Sequence, residues 1–138
     1  MDDINIPVCI IDHHQIQEMP SKAKVMNPYR SDFPDMQHYK EICTAGLSFM
    51  FIDSFKSYFN LRNGFSTSLA DLACIGTVGD VMPLNPFNLS CLKLGLSLIN
   101  QKKRKSIASL CEVLKLGGPA YGSGRSNSTK VSMELENS

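Results

Sequence analysis

Asp12, His13 and His14 are three consecutive side chains that can bind a divalent cation or a phosphate group. A carboxylate and an imidazole suit Mn²⁺, Mg²⁺ or Zn²⁺, and a second imidazole can hold a phosphate oxygen or act as an acid. The triplet follows the apolar run 8–11, which predicts a short buried strand. Because ligands of open α/β sheets bind beyond the carboxyl ends of the strands, position and chemistry agree. The alternative is a surface turn with two solvated histidines, since neighbouring strand residues point to opposite faces.

Asp80 is the second candidate carboxylate. It lies in the segment 76–83, which reads Gly-Thr-Val-Gly-Asp-Val-Met-Pro, and its small neighbours leave room for an ion and its waters. The two glycines allow a sharp turn and Pro83 forbids a simple helical continuation, so we expect the preceding helix to end near Ile75. An ordinary capping aspartate is the alternative interpretation of Asp80.

Two basic features are candidates for anion contacts. Arg30 follows Asn27-Pro28 and could touch a phosphate. The run Lys102-Lys103-Arg104-Lys105 follows a predicted helix, and we interpret it as the solvated end of that helix, where cations also suit the helix dipole.

The elements that must position these residues are mostly helical. Apolar spacing and capping residues predict helices over 43–59, 69–75, 85–100 and 106–116, with Ser66 or Ser68 capping the second and Asn85-Pro86 starting the third. Aromatic residues in 43–59 are expected to pack in the core. Residues 15–41 are predicted to be loop-like, and 8–11 is the one convincing strand.

Composition bounds the class of protein. The chain has 138 residues, 43% hydrophobic and 20% charged, which predicts one globular unit. Its net charge of +1 gives no electrostatic case for nucleic-acid binding and none against it, so any basic surface must be local. No apolar run approaches the ~20 residues of a membrane span, and the acidic start lacks the basic residues of a signal peptide. Five scattered cysteines predict free buried thiols in a reducing cytoplasm rather than disulfides or a zinc knuckle.

The composition changes after Gly117-Gly118-Pro119. Residues 117–138 are rich in Gly, Ser and Asn and lack apolar periodicity, so we expect a flexible tail behind a domain over 1–116.

Taken in order, the motifs resemble the DHH phosphoesterase superfamily and, within it, the RecJ-type branch of 5′→3′ exonucleases specific for single-stranded DNA. The resemblance covers residues 6 to about 116. The segments that carry it are Ile10-Ile11-Asp12-His13-His14, Asn27-Pro28-Tyr29-Arg30, Thr44-Ala45-Gly46-Leu47-Ser48-Phe49 and the long run 69–84.

The resemblance implies an α/β fold, here the C-terminal part of a doubly wound domain that is mostly helical with one or a few short parallel strands. It implies a pair of Mn²⁺ or Mg²⁺ ions that activate a water and clamp a phosphodiester. By position, His13 and Asp80 would be metal ligands. His14 would contact the scissile phosphate or help to orient the site, and Asp12 would hold or tune the neighbouring imidazoles. Arg30 would touch the nucleic-acid backbone, and DNA repair and recombination would be the setting.

The same resemblance implies further aspartates from motifs that precede Asp12-His13-His14 in the family, and a following domain that grips nucleic acid. A two-metal site needs roughly six or more protein ligands. We therefore expect the chain to be inactive alone and to need an N-terminal fragment that supplies the missing aspartates. Two alternatives stay open: a non-catalytic remnant or interaction module, and another DHH hydrolase such as a pyrophosphatase or an oligoribonuclease.

Overall fold

A computed structural model describes residues 6–32, 34–60 and 64–114. The expected tail 117–138, and residues 115–116 of the last predicted helix, lie outside these ranges. In chain order the elements are strands β1 (Val8–Ile11) and β2 (Ala23–Met26) and helices α1 (Thr44–Tyr58), α2 (Ala70–Gly79), α3 (Pro86–Asn100) and α4 (Lys105–Val113). Short 3-10 helices span Pro34–Tyr39 and Thr67–Leu69. The described part is thus an α/β structure that is mostly helical.

The two strands form a parallel pair. Val8 lies opposite Ala23 and Ile11 opposite Met26, and the Asp12 backbone N–H extends the ladder to the carbonyl of Met26 at 3.1 Å. The prediction that residues 15–41 are loop-like was therefore wrong for β2. The signal was weak because Lys24 interrupts a run of only four residues. Since the strands are parallel, the segments that follow them, 12–14 and 27–30, meet at one edge.

Helix α2 is the centre of the helical layer. Its buried residues are Ala70, Asp71, Ala73, Cys74 and Thr77. The prediction that it ends near Ile75 was wrong, because it continues through Gly76 to Gly79. A Cβ on Gly76 would come 2.5 Å from the Cβ of Ala45, so this glycine serves a close approach to α1 and not a turn. The chain turns only at Asp80 and Val81, where Val81 has φ of 51°.

Helix α3 packs even closer to α2. A Cβ on Gly95 would lie 2.2 Å from the Cβ of Cys74 and 2.5 Å from the carbonyl oxygen of Ala70. The helix begins as predicted, with the Asn85 side chain accepting a hydrogen bond from the backbone N–H of Asn88 and Pro86 in the first turn. The predicted serine cap of α2 was wrong, since Leu69 occupies that position and makes no side-chain cap.

The aromatic stripe of α1 is only partly in the core. Leu47 is fully buried, but the exposed fraction is 36% for Phe55, 57% for Phe59 and 81% for Tyr58. The rings of Phe55 and Phe59 stack on each other with centroids 5.2 Å apart. The expectation of core packing was therefore wrong for the aromatic residues of the last turns, while Phe49 and Phe51 earlier in the helix are only half-buried.

All five cysteines are free, as predicted. Cys43, Cys74 and Cys91 are buried, and burial raises the pKa of the Cys74 thiol to about 11. Cys9 is exposed, contrary to the prediction, because the strand that carries it belongs to a sheet of two strands.

The basic run 102–105 is not uniformly solvated. Lys102, Lys103 and Lys105 are exposed, but Arg104 pairs with the buried Asp71. Among the described helices, none combines the length and apolar character needed to cross a membrane.

Candidate metal and phosphate site

The end of β1 brings the Asp12-His13-His14 side chains together. One potential ligand atom from each residue lies within 4.8 Å of the others. The two imidazole rings are 4.4 Å apart and tilted by 36°. The strand therefore ends in a turn at this point, which is the condition under which both histidines can serve one site.

Asp12 and His14 form the exposed half of the site. The Asp12 Oδ1 lies 2.7 Å from the His14 Nδ1, and Oδ2 accepts from the His14 backbone N–H at 3.3 Å. Burial would raise the pKa of Asp12, but the hydrogen bond from His14 and further backbone bonds outweigh it, so the net shift is downward. With Nδ1–H donating to the carboxylate, the neutral His14 ring keeps a bare Nε2, and the His14 side chain is 76% exposed. A carboxylate behind an imidazole is a common arrangement at metal sites.

His13 is held differently, by the first residue of α1. The Thr44 backbone N–H donates to the His13 Nδ1 at 3.0 Å, and the Thr44 hydroxyl lies 2.8 Å from the same nitrogen. Because Nδ1 accepts a hydrogen bond, the neutral ring carries its proton on Nε2. The sequence marks Thr44 only as part of the segment 44–49 and does not predict this contact.

Asp80 meets His13 from the other side. Its Oδ2 lies 3.7 Å from the His13 Nε2. The Asp80 side chain is 45% exposed and the His13 side chain is 15% exposed. Asp80 caps the carboxyl end of α2, where its backbone N–H donates to the carbonyl of Gly76 at 3.0 Å. The structure thus brings the side chains of His13 and Asp80 together, and their role as ligands of one ion stays a prediction from the resemblance.

Asn27 holds the turn at residues 12–14 in place through its side-chain amide. The sequence did not predict this role. Asn27 is 2% exposed, and its Nδ2 donates to the carbonyl of His14 at 2.9 Å and to the Asp12 Oδ2 at 3.4 Å. Its Oδ1 accepts from the Tyr29 backbone N–H at 2.8 Å. Parallel pairing of β1 and β2, once known, would have identified it, because Asn27 directly follows β2.

Arg30 lies near this turn but is engaged within the chain. Its Nη1 donates to the Val25 carbonyl at 2.6 Å, its Nε donates to Asp32 at 2.9 Å, and Nη2 also bonds Asp32. These hydrogen bonds to Asp32 raise the pKa of the Arg30 guanidinium. The structure therefore ties Arg30 to its own loop.

The donor set fits a hard divalent cation. Asp12 and Asp80 offer carboxylate oxygens, and His14 offers a bare imidazole nitrogen. Two ligands about 2.1 Å from one ion lie about 3 to 4 Å apart, so the 3.7 Å between His13 and Asp80 is compatible with a shared ion. A groove of about 480 Å³ is lined by Asp12, His14 and Asn27 and lies on the Asp12–His14 side of the site.

Comparison with known proteins finds similarity over most of this chain. It is 28% identical over 136 residues to the single-stranded-DNA-specific exonuclease RecJ of Bacillus subtilis, covering 96% of this chain and 15% of that protein. It is 32% identical over 123 residues to the RecJ of Salmonella typhimurium, covering 80% of this chain and 21% of that protein. The RecJ of Thermus thermophilus is 29% identical over 117 residues, which are 83% of this chain and 16% of that protein.

No family model matches the chain, and no solved structure matches it either. The chain spans about a fifth or less of the length of these curated relatives. It is therefore similar, at low identity and over one segment, to single-stranded-DNA-specific exonucleases of the RecJ type.

Proposed function

We propose that this chain contributes part of a divalent-metal site that hydrolyses phosphodiester bonds. The observation that carries the proposal is the meeting of His13 Nε2 and Asp80 Oδ2 at 3.7 Å, beside Asp12 and His14. The similarity to single-stranded-DNA-specific exonucleases supports single-stranded DNA as the substrate. Degradation in the 5′→3′ direction, in DNA repair and recombination, is the part of the proposal that rests on the motif resemblance alone.

Each side chain has a role in this proposal. Asp80 and His13 would hold a Mn²⁺ or Mg²⁺ ion, and the chemistry that such an ion would supply is activation of a water and neutralisation of charge on the phosphate. His14, exposed at the groove, contacts a phosphate oxygen through Nε2–H, which requires the protonated ring because Nδ1–H is already committed to Asp12. Asp12 orients His14 through its bond to Nδ1, and Asn27 holds both in place. Arg30 shapes the loop after β2, and contact with the DNA backbone requires it to exchange its bonds to Asp32.

The described residues form only part of a site for two metal ions. Four candidate side chains converge within the described residues, whereas a pair of ions takes roughly six or more protein ligands. We propose that a region corresponding to the RecJ segment that precedes the matched part supplies further carboxylates and completes the site.

A nuclease assay tests the proposal. The chain is mixed with 5′-ended single-stranded DNA and Mn²⁺, with and without a polypeptide that corresponds to the RecJ region preceding the matched segment. We expect cleavage only in the mixture, and loss of at least about 100-fold in rate for His13→Ala and Asp80→Ala. Activity that survives both substitutions would overturn the site assignment. Pyrophosphate and a short oligoribonucleotide in the same panel test the other DHH hydrolases.

A second candidate is a non-catalytic interaction module. The observation that favours it is an apolar stripe on α2, where Leu72, Ile75 and Val78 are each 44–48% exposed. Apolar faces of this kind commonly mark contact surfaces. The two candidates differ in one result: the interaction module predicts no metal-dependent cleavage in any mixture, even when the mixed polypeptides bind each other.

A further inference from the structure

The side chain of Thr44 is the feature of the site that the proposed function leaves unexplained. Thr44 is the first residue of α1, after the N-cap Cys43, and both its backbone N–H and its hydroxyl lie against the Nδ1 of His13. Backbone N–H groups at a helix start have no partner inside the helix, so this one is available to an acceptor from elsewhere. His13 supplies that acceptor.

This contact favours a tautomer of His13 that cannot bind a metal through Nε2. With Nδ1 accepting from the Thr44 N–H, the proton of the neutral ring sits on Nε2 and points to the side where Asp80 lies at 3.7 Å. A histidine that ligates a metal through Nε2 needs that nitrogen bare and normally donates from Nδ1–H to an oxygen. His14 has this arrangement, because the Asp12 carboxylate accepts from its Nδ1. His13 does not have it while the Thr44 amide is its partner.

The hydroxyl of Thr44 can stabilise the other tautomer of His13, in which Nδ1 carries the proton. An oxygen 2.8 Å from Nδ1 can accept a hydrogen bond from Nδ1–H, which a backbone amide cannot. Nε2 then gives its proton to water and Nδ1 takes one from water, so that the ring stays neutral and Nε2 becomes bare. The side chain of His13 is 15% exposed, so an Nδ1–H without an acceptor would be costly there.

We propose that Thr44 is a positioning residue whose hydroxyl lets His13 move its proton to Nδ1 and present a bare Nε2 to a divalent cation beside Asp80. The inference rests on the proposed metal site. It deepens that proposal by assigning two opposed tasks to one residue: the amide of Thr44 stabilises the metal-free tautomer, and its hydroxyl stabilises the metal-bound one. Metal binding by this chain is therefore coupled to a change in the hydrogen bond between Thr44 of α1 and His13, which follows β1.

Two matched variants separate these tasks. Thr44→Ser keeps the amide and the hydroxyl, and Thr44→Val keeps the amide and a similar shape but lacks the acceptor. The probe is imidazole ¹⁵N chemical shifts of the full chain, recorded without metal and with Mg²⁺, which is diamagnetic. A parallel titration follows Mn²⁺ binding.

Without metal, we expect wild type and both variants to carry the His13 proton on Nε2. With Mg²⁺, the proton moves to Nδ1 in wild type and Thr44→Ser but stays on Nε2 in Thr44→Val. Mn²⁺ affinity falls about 10-fold or more in Thr44→Val and is retained in Thr44→Ser. Equal Mn²⁺ affinity in wild type and Thr44→Val overturns the inference, as does a metal-free ring with its proton on Nδ1.

The outcomes separate this inference from the proposed function. If wild type binds neither ion, the proposed metal site fails, and with it the role of the hydroxyl. If wild type binds Mn²⁺ and Thr44→Val binds equally well, the metal site stands and only the role of Thr44 is lost. Circular dichroism of each variant excludes a folding defect, since residue 44 begins α1.

Discussion

Arg104 at the start of α4 and Asp71 in the first turn of α2 form a two-point ion pair. The Arg104 Nε donates to the Asp71 Oδ2 at 2.6 Å, and Nη2 donates to Oδ1 at 3.0 Å and to the Ser68 carbonyl at 3.0 Å. The Asp71 side chain is 4% exposed, so the arginine neutralises an otherwise buried charge. This pair fastens the last described helix to the helix that carries Asp80.

Replacing Arg104 by Leu is expected to lower the free energy of unfolding by about 2 to 4 kcal/mol, because it leaves the Asp71 carboxylate buried without its charge partner. Urea denaturation measures the change. The exposed neighbour Lys103 is the control, and Lys103→Leu should stay within about 0.5 kcal/mol of wild type. Equal losses in the two variants would show that the pair does not stabilise the fold.

The close packing of α2 and α3 makes Gly95 a sharp test of the structure. Alanine ordinarily stabilises a helix interior by about 1 kcal/mol over glycine. At position 95, however, the new Cβ would come 2.5 Å from the carbonyl oxygen of Ala70. We expect Gly95→Ala to destabilise the protein by about 2 kcal/mol or more, because backbone cannot move aside cheaply.

Gly79 is the matched control for Gly95. It is the last residue of α2, and a Cβ there would meet nothing within 4 Å. Gly79→Ala is therefore expected to leave stability unchanged or to raise it by up to about 1 kcal/mol. Thermal denaturation of both variants checks the contrast, and a stable Gly95→Ala protein would contradict the helix packing described here.

Asp53 on α1 gives the chain a predicted pH dependence. Hydrogen bonds from Lys56 first and Ser66 second lower the pKa of Asp53 below its ordinary 3.8. A carboxyl whose folded-state pKa is depressed stabilises the fold above its unfolded-state pKa, and the contribution is lost as pH falls through the folded-state value. The stability difference between wild type and Asp53→Asn should therefore be constant near neutral pH and shrink below about pH 3.8.

Urea midpoints between pH 7 and pH 3 measure this difference. Ser66→Ala removes one of the two side chains that donate to Asp53. In the Ser66→Ala background, the stability difference that Asp53→Asn causes should therefore be smaller but still present. Asp53 is 45% exposed and screened by solvent, and the effect is accordingly small. A difference that grows as the pH falls would contradict the direction of the pKa shift.

The sequence predicted the elements that depend on neighbouring residues and missed those that depend on contacts between residues far apart in the chain. Local signals placed β1, α1, α3 and most of α4, because apolar spacing and the Asn85 cap act within a few residues. The strand β2 was missed, since its four residues become a strand only through pairing with β1. Gly76 was taken for a turn because its neighbour Ala45 comes from another helix.

The residues of the candidate site also differ in how far the sequence could predict them. Asp12, His13, His14 and Asp80 were identified from residue type and motif, and the structure brings them together. The sequence gives no local sign that the Thr44 amide is the partner of His13, because that contact depends on where the start of α1 meets the end of β1. The same holds for Asn27, whose amide reaches back to the turn after β1.

Binding of Mn²⁺ by the isolated chain is the most direct test of the central claim, that His13 and Asp80 hold one cation. Electron paramagnetic resonance of free Mn²⁺ measures the affinity of wild type, His13→Ala, Asp80→Asn and the control His38→Ala, which removes an exposed histidine of the first 3-10 helix. We predict weak binding that falls about 10-fold or more in His13→Ala and in Asp80→Asn and is unchanged in His38→Ala. Binding that is absent in wild type, or equal in all four proteins, would contradict the account.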